Sequence, residues 1–173
     1  MDVQGYNAQT VVGEGQIVLA AEITNSGVDW SQLAPMVTAT TVELERAGIS
    51  ALPETVVADA QYWNEEHIDE VITNKHIQVL VPPDGGVSGK QRRGWTGGRY
   101  TFMRRVLASE RGRQLYRKRQ HMIEPVFGHT KHNRGITSFH RRGRTAVRTE
   151  WRSVMATHNL TKLNRHTIAA QKA

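Results

Sequence analysis

The sequence contains no cysteine, which excludes both a disulfide framework and a thiolate zinc site. Its longest apolar runs fall well short of the roughly 18 residues that a membrane-spanning helix needs. The first ten residues lack the basic region followed by an apolar region that marks a secretion signal. We therefore expect a cytoplasmic protein without a membrane partner, and 173 residues favour a single domain.

Carboxylates are scarce in the second half of the chain. Residues 1–84 hold 13 acidic residues against two basic ones, a net charge of −11, whereas residues 85–173 hold three acidic residues against 21 basic ones, a net charge of +18. A surface this basic binds polyanions by releasing their counterions, and nucleic acid is the usual polyanion. A basic tail with no specific partner is the alternative that charge alone leaves open.

The spacing of apolar residues predicts an α/β arrangement in the acidic part. Hairpin, helix, strand, helix and strand follow one another, and the last two strands alternate with helices as parallel strands do. Asp29 is predicted to cap the first helix and Asn64 the second. The predicted ranges are 3–12 and 16–23 for the hairpin, 29–48 for the first helix, 54–59 for the third strand and 77–81 for the fourth.

The basic part is predicted to be helical after a flexible basic loop at residues 85–99, where glycines cluster. Gly112 and Pro125 interrupt the first helical stretch, and Pro125 is expected to kink it because proline cannot donate a hydrogen bond to the carbonyl of His121. A last amphipathic helix is predicted over 145–165, with Leu160 and Leu163 among its apolar positions.

Two acidic residues are candidates for chemistry. Asp59 ends an apolar strand, where open α/β sheets place ligands and catalytic groups, although a turn or cap aspartate is the plainer interpretation. Glu124 is the lone carboxylate between Arg111 and Arg148. Its carboxylate either pairs with an arginine or holds a divalent cation beside bound phosphates. Lys131 follows it by seven residues and would share its face on a continuous helix.

Four blocks in a fixed order resemble bacterial insertion-sequence transposases of the DDE type, in their C-terminal part. The blocks are GYNAQ at 5–9, EITNSGVDWSQLAPM at 22–36, VVADAQYW at 56–63, and LYRKRQHMIEPVFGHTKHNRG at 115–135, the last followed by FHRRGRTAVRTEW and THNL. The resemblance covers nearly the whole chain. Four ordered blocks are more specific than any one of them.

The resemblance implies a ribonuclease-H-like core with one mixed sheet, two divalent ions (Mg²⁺ or Mn²⁺), and cleavage and strand transfer of double-stranded DNA. It implies a nucleoid-associated bacterial protein that forms homo-oligomers at full length. Asp59 and Glu124 take the positions of two metal-binding carboxylates. Tyr116, Arg119 and Lys131 would complete the catalytic signature, although four residues separate Arg119 from Glu124 where the common signature has three. The DNA-binding residues expected in the basic part are Arg134, Arg141, Arg142 and Arg144.

The first aspartate of the resembled site has no counterpart in the chain. Asp2 does not match its position, and the place of Asp29 before a helix favours a cap. We therefore expect residues 1–173 to be one catalytic-core domain that lacks its first strand and does not cleave DNA in isolation. A DNA-binding module without catalysis competes with this hypothesis. An RNA-binding protein is disfavoured because the aromatic residues of the basic part do not form a dense stacking motif.

Overall fold

The computed structural model describes residues 5–85 and 89–171, which form two compact units. One, the central unit, is Val28–Gln120, and the other, the terminal unit, joins Met1–Gly27 to His121–Ala173. The single-domain expectation stays a prediction. The elements in chain order are β1 (Asn7–Val12), β2 (Val18–Thr24), α1 (Leu33–Arg46), β3 (Thr55–Val57), α2 (Glu65–Lys75), β4 (Gln78–Leu80), α3 (Gly98–Ala108), α4 (Glu110–Gly128) and α5 (Arg144–Gln171).

The central unit is built around the parallel pair of β3 and β4, whose registers run from Thr55 opposite Gln78 to Val57 opposite Leu80. The helices α1, α2 and α3 supply most of its core. Fully buried side chains such as Ile68, Met103 and Val81 lie at its centre. Burial of this apolar surface is the main stabilising contribution, because three-residue strands alone are too short to be stable.

The two helix caps predicted in this unit have different outcomes. The Asn64 side chain accepts a hydrogen bond from the backbone of His67 at 3.1 Å and caps α2, as predicted. The Asp29 cap is wrong, because α1 begins at Leu33 and its cap position is Gln32, without a side-chain cap bond. The Asp29 carbonyl instead accepts from the Gln32 backbone at 2.9 Å, and this turn separates Asp29 from the helix.

The terminal unit is a β-hairpin packed with the last helices. β1 and β2 pair antiparallel from Asn7 opposite Thr24 onward, which confirms the predicted hairpin over its described residues. Residues 1–4, including Val3 and Asp2 of the sequence predictions, lie outside the described part. The core combines Ile23 from the hairpin with Val126 from α4 and with Val147 and Met155 from α5.

The α/β class is confirmed, and the elements are compatible with a ribonuclease-H-like core. The described strands nevertheless form two separate two-stranded sheets and not the one mixed sheet that was predicted. In the hairpin β1 pairs with β2, and in the parallel pair β3 pairs with β4. No strand of the described residues hydrogen-bonds to both pairs.

The helices of the basic part differ in detail from those predicted. The first break falls at Ser109, and Gly112 lies inside α4. α4 continues past Pro125, and the carbonyl of His121 that Pro125 cannot bond accepts from Gln16 Nε2 at 3.0 Å. The kink stays a prediction. No helix in the described ranges is both long and apolar enough to span a bilayer.

The predicted ends of the basic loop and of the last helix also differ from those in the structure, where α3 begins at Gly98 and α5 begins at Arg144. Residues 86–88 of the predicted loop 85–99 lie outside the described part, while Asp84 just before it is buried and accepts from Tyr100 Oη at 2.8 Å. α5 extends to Gln171. Its Leu160 and Leu163 are 66% and 54% exposed, so their assignment to the apolar face was wrong because the core ends near His158.

Candidate active site

Asp59 follows β3 at the carboxyl end of the parallel pair. Its Oδ1 accepts a hydrogen bond from the Gln61 backbone at 2.9 Å and caps the 3₁₀ turn Ala60–Tyr62. The cap interpretation of Asp59 is therefore correct as far as Oδ1 is concerned. Oδ2 faces Arg119 at 3.8 Å, and the side chain remains 44% exposed. Oδ1 is thus used by the fold, whereas Oδ2 is held only by the longer ion pair with Arg119.

Tyr116 and Arg119 are neighbours on α4 because they lie three positions apart on one helix. Both lie near Asp59. The Arg119 guanidinium carbon is 5.3 Å from the centroid of the Tyr116 ring, a cation–π distance. Burial raises the pKa of the Tyr116 phenol, the charge of Asp59 raises it further, and the charge and hydrogen bond of Arg119 oppose both. Three of the five predicted catalytic residues are therefore brought together in the central unit.

Arg119 carries an unused donor at this place. Its Nε is buried and has no hydrogen-bond partner among the described residues. A buried unpaired donor costs about 1–3 kcal/mol of stability. An anion beside Asp59 would give this N–H an acceptor.

Glu124 and Lys131 belong to the terminal unit. Glu124 is exposed, and within the described ranges no arginine or lysine lies within 4.0 Å of its carboxylate, so the arginine-pairing alternative is not realised there. Lys131 lies 5.9 Å from the ring centroid of Phe127. Whether Asp59 and Glu124 face a common ion stays a prediction.

The continuous α-helix on which Glu124 and Lys131 would share a face does not reach Lys131. α4 ends at Gly128, and His129–Asn133 forms a π-helical segment in which the Arg134 backbone donates to the His129 carbonyl at 3.1 Å. The Thr130 hydroxyl donates to the Val126 carbonyl at 2.8 Å and competes there with backbone bonding. A spacing of seven residues is therefore not two α-helical turns here.

Asp59 fits one ligand position of a hard divalent ion, since Mg²⁺ and Mn²⁺ prefer carboxylate oxygens together with phosphate oxygens. The observation that supports the fit is the partly exposed Asp59 side chain, whose Oδ2 is held only by the 3.8 Å ion pair with Arg119. No group of three or more His, Asp or Glu residues that could hold a metal occurs in residues 5–85 and 89–171.

The four predicted DNA-binding arginines are not equivalent. Arg134 Nη1 donates to the Val154 carbonyl at 3.0 Å, and Arg144 Nε donates to the Ile23 carbonyl at 3.2 Å, so both have structural bonds. Arg141 and Arg142 are exposed. The backbone N–H of Arg141 donates to the Glu150 carboxylate at 3.0 Å.

Sequence reasoning missed how much of α5 is used to hold the hairpin. Arg152 Nε donates to the Ala21 carbonyl at 3.2 Å, and Arg148 and Arg152 both bind the carboxylate of Glu22. Asn159 bonds both the N–H and the C=O of Val18 at 2.8 Å. The recurrence of arginine every four residues from Arg144 was the signal in the sequence, because such residues share one helix face.

The comparisons with known proteins address the basic part. The family described as "Transposase DDE domain" matches residues 92–164, which is less than half of the chain and contains Tyr116, Arg119, Glu124 and Lys131 but not Asp59. No curated protein and no solved structure gives a significant match. The match over residues 92–164 supports a DDE-type transposase.

Proposed function

We propose that the chain carries part of the catalytic site of a bacterial insertion-sequence transposase, which cleaves DNA at element ends and transfers the strands with divalent metal ions. The observation that carries the proposal is the meeting of Arg119 with Asp59 at 3.8 Å. Arg119 lies in the segment that matches the transposase family, whereas Asp59 lies outside it. The fold of the central unit therefore joins a strand-end carboxylate to the matched helix.

The roles of the residues follow from their chemistry. Asp59 and Glu124 would hold Mg²⁺ or Mn²⁺, which when bound activates the attacking oxygen and neutralises charge on the scissile phosphate. Arg119, with its unpaired Nε, would contact a phosphate oxygen beside Asp59. Tyr116 orients Arg119 through its ring and hydroxyl. Lys131 would contribute a further cation to the DNA backbone.

The alternative is a DNA-binding protein derived from a transposase that performs no chemistry. The net charge of +18 over residues 85–173 favours DNA binding in either case. Of the four arginines predicted to bind DNA, Arg134 and Arg144 donate to backbone carbonyls. Arg141 and Arg142 are exposed and are the two proposed as phosphate contacts. The two functions differ in metal binding, and this difference provides the test.

Mn²⁺ titration followed by NMR tests the catalytic proposal without needing the element's end sequences. A bound paramagnetic ion should broaden the Gln61 amide, which bonds Asp59, and the amides around Glu124, in a saturable way. Asp59→Asn and Glu124→Gln should each weaken both effects, because the proposed site uses both carboxylates. Glu70→Gln, an exposed glutamate in the central unit, is the control. Broadening that is uniform, or equal in Asp59→Asn and the unchanged chain, would refute metal binding.

Binding to duplex DNA at several salt concentrations tests the part common to both functions. Each neutralised phosphate contributes about −0.9 to the slope of log affinity against log salt. Replacing Arg141 and Arg142 by alanine should reduce the slope by about two, whereas Arg46→Ala should leave it unchanged. DNA binding without saturable Mn²⁺ binding would favour the non-catalytic alternative. Affinity that is independent of salt would exclude both.

A further inference from the structure

A second candidate site lies entirely in the terminal unit, in an open pocket of about 360 Å³. Three segments enclose it: the β1–β2 turn, the junction of α4 with the π-helical segment, and α5. Its polar lining includes Gln16, His129, Asn133, His158, Lys162 and Arg165. The volume lies at the lower end of the range usual for small-ligand pockets, about 300–1,000 Å³. π-helical segments such as His129–Asn133 often occur at functional sites.

Two imidazoles in the pocket have unsatisfied nitrogens. His158 is 3% exposed, and its Nε2 donates to the Gln16 carbonyl at 2.9 Å. The His158 ring meets that of His129 at a centroid distance of 5.6 Å. The Nδ1 atoms of both rings are buried and lack a hydrogen-bond partner in the described chain. In a neutral ring whose Nε2 donates, Nδ1 is an acceptor, and it donates only when the ring is protonated. An anion bound beside such a ring favours the protonated form.

The charge at the pocket has one sign. The nine residues that line it include Lys162 and Arg165 and no carboxylate. Lys162 donates to Gln16 Oε1 and has two further donors. Burial lowers the pKa of His129, and the positive charges of His158, Arg134, Arg165 and Lys162 lower it further. The same positive field that opposes protonation of His129 favours an anion.

We infer that this pocket binds a phosphate group, held by Lys162 and Arg165 beside the paired imidazoles of His129 and His158. The ligand is a phosphate group with at least one charged oxygen, and it comes either from the DNA backbone or from free phosphate. Only the DNA-backbone source depends on the proposed function, because free phosphate could bind whether or not the chain binds DNA. The pocket would then fix one backbone phosphate through residues of the terminal unit.

Titration with inorganic phosphate at constant ionic strength, followed by the ring-nitrogen signals of His129 and His158, tests the inference. The expected result is a saturable shift of both rings that chloride does not reproduce. Lys162→Gln with Arg165→Gln should weaken phosphate affinity about tenfold or more, since each charged hydrogen bond is worth more than a neutral one. Lys75→Gln, which removes a lysine of α2, should leave it unchanged.

Arg165→Gln alone keeps the test decisive if loss of the Lys162 bond to Gln16 unfolds the chain, because Arg165 is exposed. Equal phosphate shifts in all variants, or shifts that never saturate, would overturn the inference. A short DNA duplex that displaces phosphate and shifts the same rings would assign the backbone as the source. Phosphate binding that duplex does not displace would retain the pocket and reject that source. Failure of the proposed function would show separately, as a flat salt dependence of DNA binding.

Discussion

Arg119 Nη1 lies 3.8 Å from Asp59 Oδ2, although sixty positions separate the two residues in sequence. The contact brings the charge of Asp59 within range of the Tyr116 phenol, whose pKa it raises. Tyr116 therefore reports on whether Asp59 and Arg119 keep this arrangement in solution. Burial of the ring is the largest cause of the raised pKa, and Arg119 opposes it.

Removing the charge of Asp59 and removing that of Arg119 should shift the Tyr116 pKa in opposite directions. Asp59→Asn should lower it, because a nearby negative charge disfavours the phenolate. Arg119→Gln should raise it, because the phenolate loses its cation and its hydrogen bond. NMR titration of the tyrosine ring carbon measures both changes, with Glu70→Gln as the control. Shifts of the same sign in both variants would contradict the geometry.

Gly112→Ala should destabilise the chain by about 3 kcal/mol or more, since overpacking against backbone is costly. A Cβ at this position would meet the Val106 carbonyl oxygen at 2.0 Å, and backbone cannot move aside cheaply. Gly128→Ala at the end of the same helix has nothing within 4 Å and should stabilise by about 0.5–1 kcal/mol. Urea unfolding measures both. Equal effects would show that α3 and α4 do not meet as described.

Asn159→Ala should cost about 2–4 kcal/mol, because both backbone groups of Val18 lose their side-chain partner. Asn159→Asp keeps the acceptor for the Val18 N–H but loses the donor to its carbonyl, and should also destabilise. Asn164→Ala, an exposed position on the same helix, should be neutral or slightly stabilising. Denaturant unfolding followed by circular dichroism compares the three. A cost for Asn159→Ala no larger than that for Asn164→Ala would contradict the contact.

Glu22 should contribute stability that acid removes. Burial alone would raise its pKa, but the hydrogen bonds and charges of Arg148 and Arg152 outweigh burial and hold it below the ordinary value of 4.5. A lowered carboxylate pKa stabilises the fold above that ordinary value, and the contribution is lost as pH falls through the folded pKa. Glu22→Gln should therefore flatten the loss of stability below about pH 4.5.

At neutral pH the same change should cost about 1–2 kcal/mol, a figure discounted because Arg148 is 45% exposed. Glu70→Gln should change stability by less than about 0.5 kcal/mol. Urea midpoints between pH 3 and 7 give the comparison. An acid dependence that Glu22→Gln leaves unaltered would place the cation pairing of Glu22 in doubt.

The elements were predictable where local chemistry decides them. The hairpin, the Asn64 cap and the parallel pair β3–β4 follow from alternation, capping and the order of elements. The match to Tyr116 and Arg119 came from the resemblance, and their meeting with Asp59 follows from the fold. The π-helical segment was not predictable from periodicity, because apolar spacing over five residues does not distinguish a π-helical turn from an α-helical one.

The hydrogen-bond partners of the arginines were the part of the structure that the sequence predicted least well. Charge counting treats every arginine alike, whereas Arg134, Arg144 and Arg152 donate to backbone carbonyls of the terminal unit. The pocket lined by His129 and His158 also escaped prediction. The two rings are far apart in sequence, and nothing local indicates that they meet.

The bonds from α5 to the hairpin have a consequence for folding during synthesis. Val18 receives its Asn159 partner across 141 positions, and the Trp151 indole donates to the Gln9 carbonyl across 142. Contacts this distant form late, because the loop between them has to be closed first. On a ribosome the hairpin emerges before α5. Val18 and Ile23 therefore lack the side chains of α5 that cover them until nearly all of α5 has been translated. The central unit, by contrast, is contiguous and has its complete sequence as soon as Gln120 has emerged.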